Sequence, residues 1–492
     1  MPNSCNPVAR TLAVREAIRK GSPYWKIFLR AFVASWLVWG TTLGAADDAR
    51  VADAAQHRDV AAVRALIQQK VDVNAPQADG ATALHWAAHW NEVETVDLLL
   101  RAGAGRDALN DLGVSPLFLA CTNGSAPVVS RLLQAGADPN AKGARVPALL
   151  ECARTGSVDA VKALLDLKAA VNAREPLRDQ TALMWAVANA HPGVVRLLLE
   201  RGADVRARAR HARVVVNRAN PNDITASSVG EVSLGGGTPL LFAARQGGVA
   251  SAEILLTAGA GVDELLADGT SALTVAVHSG HRALALLLLN RGATPNVIGS
   301  GYSALHAAVL RGDLDVANAL LAKGALVNSR VRNGTTTTRA SREYFLTEAL
   351  AGATPLLLAA KFLEVEIMQA LVARGADAGA TLPDGTTMLM LAAGAGSQPR
   401  LFDRRERMAI LKESDEPLAL AAVTLAIDRG ADVNAANQNG DTALHAAARM
   451  NYPRVAAILI ERGARAGVRN KKKETPSDVA SGDAVKDVLR RP

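Results

Sequence analysis

A four-residue pattern, Thr-(Ala or Pro)-Leu-His, recurs along this chain about every 33 residues and constrains its fold more than any other feature. Repetition at this period is typical of a stacked array, in which each unit contacts only its neighbours, and it argues against a globular enzyme with one core. The pattern is complete at Thr82 and Thr442, and degenerate copies begin at Ser115, Pro147, Thr181, Thr238, Ser271, Ser303, Thr354 and Thr387.

Each copy is followed by the same sequence of structural signals, which the unit at Thr82 illustrates. The Thr hydroxyl is suited to cap a helix that contains the small pair Ala87-Ala88. Val96 and Leu99 then share one face of a second helix, and Gly103, which is 21 residues after the Thr, is suited to end it. The pattern therefore predicts two short antiparallel helices in each unit.

These motifs resemble those of the ankyrin repeat, and the resemblance covers roughly residues 49–492. The Gly-Ala-Asp turn after the second helix, as in Gly202-Ala203-Asp204, supports it. The resemblance implies an all-α ankyrin-repeat solenoid of about twelve helix–turn–helix units with short hairpin loops. It also implies a rigid scaffold that binds a partner protein on its concave face.

The first 46 residues differ in composition from the rest of the chain. Basic residues precede an apolar run from Ala31 to Leu43, and Gly44-Ala45-Ala46 follows it. This succession predicts a bacterial signal peptide, cleaved near Ala46, and an array at 47–492 in the periplasm or secreted, with no stable membrane insertion after cleavage. An uncleaved signal anchor is the alternative.

The charge and the cysteines add little to the functional assignment. The chain carries +8, but 1–46 hold six basic residues and one acidic residue, so about +3 remains for 47–492. A balance this small, with 3% aromatic residues, gives no support for a nucleic-acid partner. Cys121 and Cys152 occupy Ala-pair positions of consecutive units, where we favour two buried free thiols over a disulfide.

Three intervals of the repeat are too long and mark insertions at about 206–236, 329–352 and 397–417. The first is basic at its start and then loop-like, and the third is suited to one or two amphipathic helical turns. The first two fall in the hairpin segments between units, whereas the third separates the two helices of one unit. Each is either a solvated excursion or an added binding element.

By resemblance to ankyrin arrays, the two residues after each Ala pair line the concave groove together with the hairpins. A cation recurs there in most later units, and large apolar residues occur in two units. Trp, Tyr and Arg commonly anchor protein interfaces, so the partner is expected to be an acidic protein with apolar anchors. The predicted protein-contact residues are Trp90, Arg154, Arg245, Tyr302, Arg311, Lys361, Phe362 and Arg449.

No catalytic, cofactor or metal constellation is found in the sequence. His85 and His89 have a spacing that chelates metals on a helix, but His85 is the repeat's own His, which the resemblance assigns to hydrogen bonds with the local backbone. Phosphate loops, nucleophile elbows and His-Glu-x-x-His motifs are absent from the sequence.

The sequence therefore predicts a monomeric protein-binding scaffold that is not an enzyme and uses no cofactor. Two alternatives remain: a cytoplasmic or host-directed regulator or effector with ankyrin repeats, and an enzyme whose site lies in the insertions.

Overall fold

The computed structural model describes residues 48–141, 146–220, 223–299, 301–332, 350–396 and 415–490. The predicted leader, most of the second and third insertions and the helical turns expected in the third lie outside these residues. The described part contains 23 α-helices, which confirms the predicted ankyrin-type solenoid. The first helices of units 1–11 are α1 Arg50–Gln56, α3 Ala83–Trp90, α5 Pro116–Thr122, α7 Ala148–Thr155, α9 Ala182–Ala188, α11 Pro239–Gln246, α13 Ala272–His278, α15 Ala304–Arg311, α17 Pro355–Lys361, α19 Met388–Ala392 and α21 Ala443–Met450.

A second helix follows in every unit, and unit 12 contributes α23 after a turn at 476–479. The second helices are α2 Val60–Gln68, α4 Val93–Arg101, α6 Ala126–Gln134, α8 Val158–Asp166, α10 Pro192–Glu200, α12 Val249–Thr257, α14 Arg282–Asn290, α16 Leu314–Ala322, α18 Val365–Ala373, α20 Glu416–Asp428, α22 Pro453–Glu461 and α23 Asp483–Arg490.

The recurring Thr or Ser begins the first helix of the unit, as the sequence predicted. The Oγ of Ser115 accepts a hydrogen bond from the backbone N–H of Phe118 at 3.1 Å, which satisfies an N–H that the helix itself leaves unpaired. Gly103 follows α4 with a φ of 87°, a conformation that favours glycine.

One continuous hydrophobic core runs through the stack, from Val51 to Leu489. Ala87 and Ala88 are buried, and their small side chains allow the first helices of neighbouring units to approach closely. Val96 and Leu99 of the second helix are also buried, and burial of each such side chain contributes roughly 1.5–3 kcal/mol. No unit has a core of its own, so stability depends on contacts between units.

An asparagine at the end of half of the twelve units ties that unit to the next. At the end of unit 4, for example, Asn172 Nδ2 donates to the carbonyl of Gly202 in unit 5 at 3.1 Å, and its Oδ1 accepts from Asp204 N–H at 2.8 Å. Six residues make this pair of bonds across unit boundaries, and we call them the Asn ladder: Asn74, Asn140, Asn172, Asn296, Asn328 and Asn434.

The first insertion is not loop-like, as the sequence analysis expected, but forms an antiparallel two-stranded ribbon. Its strands are β1 His211–Asn220 and β2 Asp223–Gly235. The register pairs His211 with Gly235 and Arg218 with Ser228. Over the described residues, the fold is therefore a helical solenoid with one β-ribbon between units 5 and 6.

Candidate protein-binding surface

Half-buried apolar side chains recur at one position of the first helix, four residues after its capping Thr or Ser. All of them pack against the core while keeping part of their surface accessible. The sequence analysis missed this position because it looked for contact residues one helical turn later. We call the set the aromatic stripe: Trp86, Leu119, Trp185, Phe242 and Val275.

The two tryptophans of the stripe are held by glutamines of the adjacent hairpin segments. Trp86 Nε1 donates to Gln77 Oε1 at 2.7 Å, and Trp185 Nε1 donates to Gln180 Oε1 at 2.8 Å. Each indole therefore has its polar atom satisfied while a part of the ring remains accessible. Rings that are fixed before binding lose little conformational entropy when a ligand contacts them.

The stripe is confined to units 2–7 and has one polar interruption. Unit 4 has Glu151 at the equivalent position, where it accepts a hydrogen bond from Arg154 Nε at 2.6 Å. In units 8–11 the equivalent side chains are buried and add nothing to the surface: Ala307, Leu358, Leu391 and Ala446.

Trp90, the first predicted contact residue, is half-buried and held by the preceding unit. Its Nε1 donates to the carbonyl of Gln56 at 3.0 Å, and the guanidinium of Arg58 lies 6.0 Å from its ring centroid. The ring of His89 packs edge-on to it, with the centroids 4.6 Å apart. Trp90 therefore contributes to packing between units 1 and 2, and only part of its surface faces outward.

Two of the predicted cations are engaged in ion pairs within the chain. Arg154 pairs with Glu151, as described above, and both Nη atoms of Arg449 bind the carboxylate of Asp441 at 2.8 and 2.9 Å. The Arg449 guanidinium holds the pKa of Asp441 below its usual value, although burial opposes this effect. These pairs offset two of the five positive charges that the sequence analysis assigned to the surface.

The other three cations occupy different environments. Arg245 is exposed, and its carbonyl accepts a hydrogen bond from His281 Nε2 at 2.9 Å. Arg311 is half-buried, and its guanidinium lies against Gly280. Lys361 Nζ donates to the carbonyl of Ala395 at 2.8 Å, and burial lowers the pKa of this amine to about 8.

The remaining two predicted residues are less accessible than expected. Tyr302 is only 6% exposed, and its hydroxyl lies 3.3 Å from Nδ1 of His278. Phe362 follows α17, is half-buried and packs against the core. Both predictions assumed that a large side chain in this segment points outward, whereas Tyr302 is buried and Phe362 packs against the core.

The repeat histidines connect units, as the resemblance implied, and have no ring nitrogen left for a metal. Backbone N–H of Thr82 donates to Nδ1 of His85 at 3.1 Å, and Nε2 of His85 donates to the carbonyl of Val114 in the next unit at 2.9 Å. His306 and His445 make the same contacts. Across the described residues, no cluster of His, Cys, Asp and Glu is suited to hold a metal ion.

Cys121 and Cys152 form a disulfide between α5 and α7, so the prediction of two free thiols is wrong. Cys121 is the second residue of its Ala pair and Cys152 is the first of the next. The stack places their Cα atoms 4.5 Å apart, within the range that a disulfide spans. Both side chains are fully buried.

The repeats, their Ala pairs and the ladder between units define the class of this protein. A sequence model described as "Ankyrin repeats (3 copies)" matches residues 51–143, 144–209, 216–299 and 240–331. A second, "Ankyrin repeats (many copies)", matches 415–460. The chain belongs to the ankyrin-repeat family.

The curated relatives match only part of this chain. Human "Palmitoyltransferase ZDHHC17" is 31% identical over 180 residues, which cover 29% of this chain and 28% of that protein. "Palmitoyltransferase Hip14" of Drosophila melanogaster is 34% identical over 158 residues, covering 31% of this chain and 24% of that protein. The "Crystal structure of human ASB11 ankyrin repeat domain" matches with a TM-score of 0.41 and 27% identity, over 50% of this chain and 98% of that one.

These names contradict the prediction that the protein is not an enzyme. That prediction rested on the lack of a catalytic constellation in the sequence. This chain spans less than a third of the length of the palmitoyltransferases it matches, and the matched part is the repeat region. The presence or absence of catalytic residues in the matched repeats therefore says nothing about the rest of those palmitoyltransferases. None of the described helices is both long and apolar enough to cross a membrane.

Proposed function

We propose that the array binds an extended segment of a partner protein along the aromatic stripe of units 2–7. The observation that carries the proposal is the recurrence of half-buried apolar side chains at one repeat position, with the Trp86 and Trp185 indoles held by hydrogen bonds. Anchors of this kind contribute most of the affinity in many interfaces. The rigid array contributes by presenting them in a fixed arrangement.

The spacing of the units predicts the sequence of the bound segment. Packed helices lie roughly 8–10 Å apart, and an extended chain advances roughly 3.3 Å per residue. Ligand residues that contact successive units are therefore about three positions apart. We expect an apolar residue at every third position, with a polar residue opposite Glu151 in unit 4.

The ion pairs of Arg154 and Arg449 weaken the case for a strongly acidic partner. Charges that are already paired within the array attract a ligand less than free ones. We therefore propose that apolar contacts dominate affinity and that salt changes the association rate only modestly.

We also propose that the protein acts in an oxidising compartment, the periplasm or the extracellular space. Two observations support this: the signal-like residues 1–46 and the disulfide between Cys121 and Cys152. The cytoplasmic or host-directed alternative predicts an intact N-terminus and reduced thiols. Sequencing the N-terminus of the native protein, together with mass spectrometry of its thiols, distinguishes the two.

The names of the curated relatives favour a second candidate function, a part in palmitoyl transfer. Because the match covers the repeats, the array would bind the protein that receives the acyl group. To test this, the protein purified from its native host is incubated with labelled palmitoyl-CoA and with the partner protein identified by crosslinking. Label on the partner supports it, and no label after partner binding has been verified contradicts it.

A photo-crosslinking experiment tests the primary proposal. A photoreactive phenylalanine analogue replaces Leu119 on the stripe or, as a control, Leu167, which follows α8 and is 47% exposed. Each variant is expressed in the native host, irradiated and analysed by mass spectrometry. The proposal predicts crosslinks to a partner from position 119 only, and equal crosslinking from both positions would contradict it.

A further inference from the structure

The ribbon of β1 and β2 is fixed to the array at its root. Arg208 Nη1 donates to the carbonyls of Gly236 at 3.1 Å and Leu265 at 2.9 Å. On the other side, the guanidinium of Arg210 binds both carboxylate oxygens of Asp179 at 3.0 Å. The two neighbouring hairpin segments therefore hold the base of the ribbon.

The two strands differ in how well their outer edges are protected against further pairing. In the described part of the chain, this sheet consists of β1 and β2 alone, so each strand has one outer edge. Natural edge strands avoid association by carrying charged residues, especially lysine, or proline. β1 contains Arg213 and Arg218, whereas β2, although 13 residues long, contains no Lys, Arg or Pro, and its charged residues are Asp223 at its start and Glu231.

We propose that two copies of this chain associate by antiparallel pairing of their β2 edges about a two-fold axis at Val229. The product is a four-stranded sheet in the order β1-β2-β2-β1. This replaces the monomer expected from the sequence, and it does not depend on the peptide-binding proposal.

The sequence of β2 is complementary to itself in this register. Ile224 falls opposite Leu234 and Ala226 opposite Val232, so apolar residues meet apolar residues. Thr225 meets Ser233 and Ser227 meets Glu231, and no position places like charges opposite each other. Cross-strand pairs of matched character are the units that stabilise a sheet.

Antiparallel pairing of two β1 edges about a two-fold axis is less favourable. Pairing centred between Val215 and Val216 places Arg213 opposite Arg218. Pairing centred on Val215 places the charged Arg218 opposite the apolar Ala212, so the two residues are not matched in character. The comparison favours β2 as the contact, and a second copy as its occupant.

Charge substitution tests the contact in the full-length chain. In the double variant A226K/V232K each introduced lysine faces an introduced lysine of the other copy. The proposal predicts a dimer for the wild type and a roughly ten-fold or greater rise in the dimer dissociation constant for this variant, measured by sedimentation velocity. In A226K/V232E each introduced lysine faces an introduced glutamate, so we expect dimerisation to recover. The matched control A212K/A219K on β1 should leave the dimer unchanged.

Disulfide trapping provides a second readout that does not depend on charge. In a C5S background, Val229→Cys places a thiol opposite its own copy, within the roughly 4.4–6.8 Å between Cα atoms that a disulfide spans. The proposal predicts an oxidised dimer for this variant and none for Val215→Cys on β1. A wild type that stays monomeric at tens of micromolar, or a dimer unaffected by A226K/V232K, would overturn the proposal.

Discussion

The backbone N–H of Asp377 donates to Oδ1 of Asn328 at 2.9 Å, although 49 positions separate the two residues. Nδ2 of the same asparagine donates to the carbonyl of Gly375 at 3.2 Å. Unit 8 and unit 9 are therefore joined by the same contacts as neighbours without an insertion, and the second insertion does not interrupt the stack.

The first prediction is that Asn328→Ala and Asn296→Ala reduce stability by similar amounts. Asn296 makes the equivalent bonds to Gly324 and Leu326 at 2.9 and 2.8 Å, with no insertion between its units. Loss of two net hydrogen bonds costs about 1–2 kcal/mol. Urea unfolding measures both variants. No loss for Asn328→Ala, alongside a clear loss for Asn296→Ala, would show that the second insertion separates two independent stacks.

The second prediction concerns pH. Burial lowers the pKa of His306 from 6.5 to about 4, so the unfolded chain binds this proton more readily than the folded chain. The stability contributed by the neutral form is present above pH 6.5 and is lost as the pH falls toward 4. The loss is on the order of 3 kcal/mol for this group.

His306→Gln provides the check, because a glutamine does not titrate. Urea midpoints between pH 7.5 and 4.5 should fall less steeply for the variant than for the wild type. Identical slopes would show that His306 is not the source of the acid sensitivity.

The third prediction concerns the disulfide between Cys121 and Cys152. Closing a loop of 31 residues stabilises a folded chain by roughly 3–4 kcal/mol in the chain-entropy description. Reductant should therefore lower the urea midpoint of the wild type and leave that of the C121A/C152A variant unchanged. Free thiols in the oxidised, folded wild type would contradict the assignment.

The fourth prediction compares two deletions. Removing the chain from Thr475 onward takes away Val485 and Leu489 of α23, both buried against the last full unit. The exposed apolar face should lower solubility. Replacing residues 212–234 by a short turn removes only the ribbon and should leave the unfolding midpoint nearly unchanged. A ribbon deletion that unfolds the array would make the ribbon part of the core.

The helical architecture was predictable because each unit repeats its local signals. The caps at Ser115 and Thr82, the buried Ala87-Ala88 pair and the positive φ of Gly103 all follow from residue type and spacing. Each depends on contacts within a unit or with its neighbour, and a repeated pattern supplies the same information many times.

The features that were missed depend on the register between units or on an element outside the repeat. The disulfide forms because Cys121, the second residue of its Ala pair, lies beside Cys152, the first residue of the next pair. The sequence does not show this register between units. The ribbon had a local signal in the sequence, namely the alternation in β2 and the turn-forming residue types Asn220-Pro221-Asn222, but its basic start suggested a solvated loop.

The candidate surface lies on the first helices of the units, which the sequence analysis also selected, but at different residues. Aromatic residues make up only 3% of the chain, yet Trp86, Trp185 and Phe242 share one repeat position, and this signal was present in the sequence. The predicted cations recur as expected, but sequence periodicity does not show that Arg154 and Arg449 already have carboxylate partners.

The most direct test of the aromatic stripe is the affinity of the captured partner segment for two variants of the full chain. Trp185→Ala removes a stripe anchor, and Leu167→Ala removes an exposed apolar side chain elsewhere. Calorimetry or surface plasmon resonance should show a loss of about 2 kcal/mol for Trp185→Ala, mostly through faster dissociation, and no change for Leu167→Ala. Unchanged affinity for Trp185→Ala, with the fold intact by circular dichroism, would contradict the proposed binding surface.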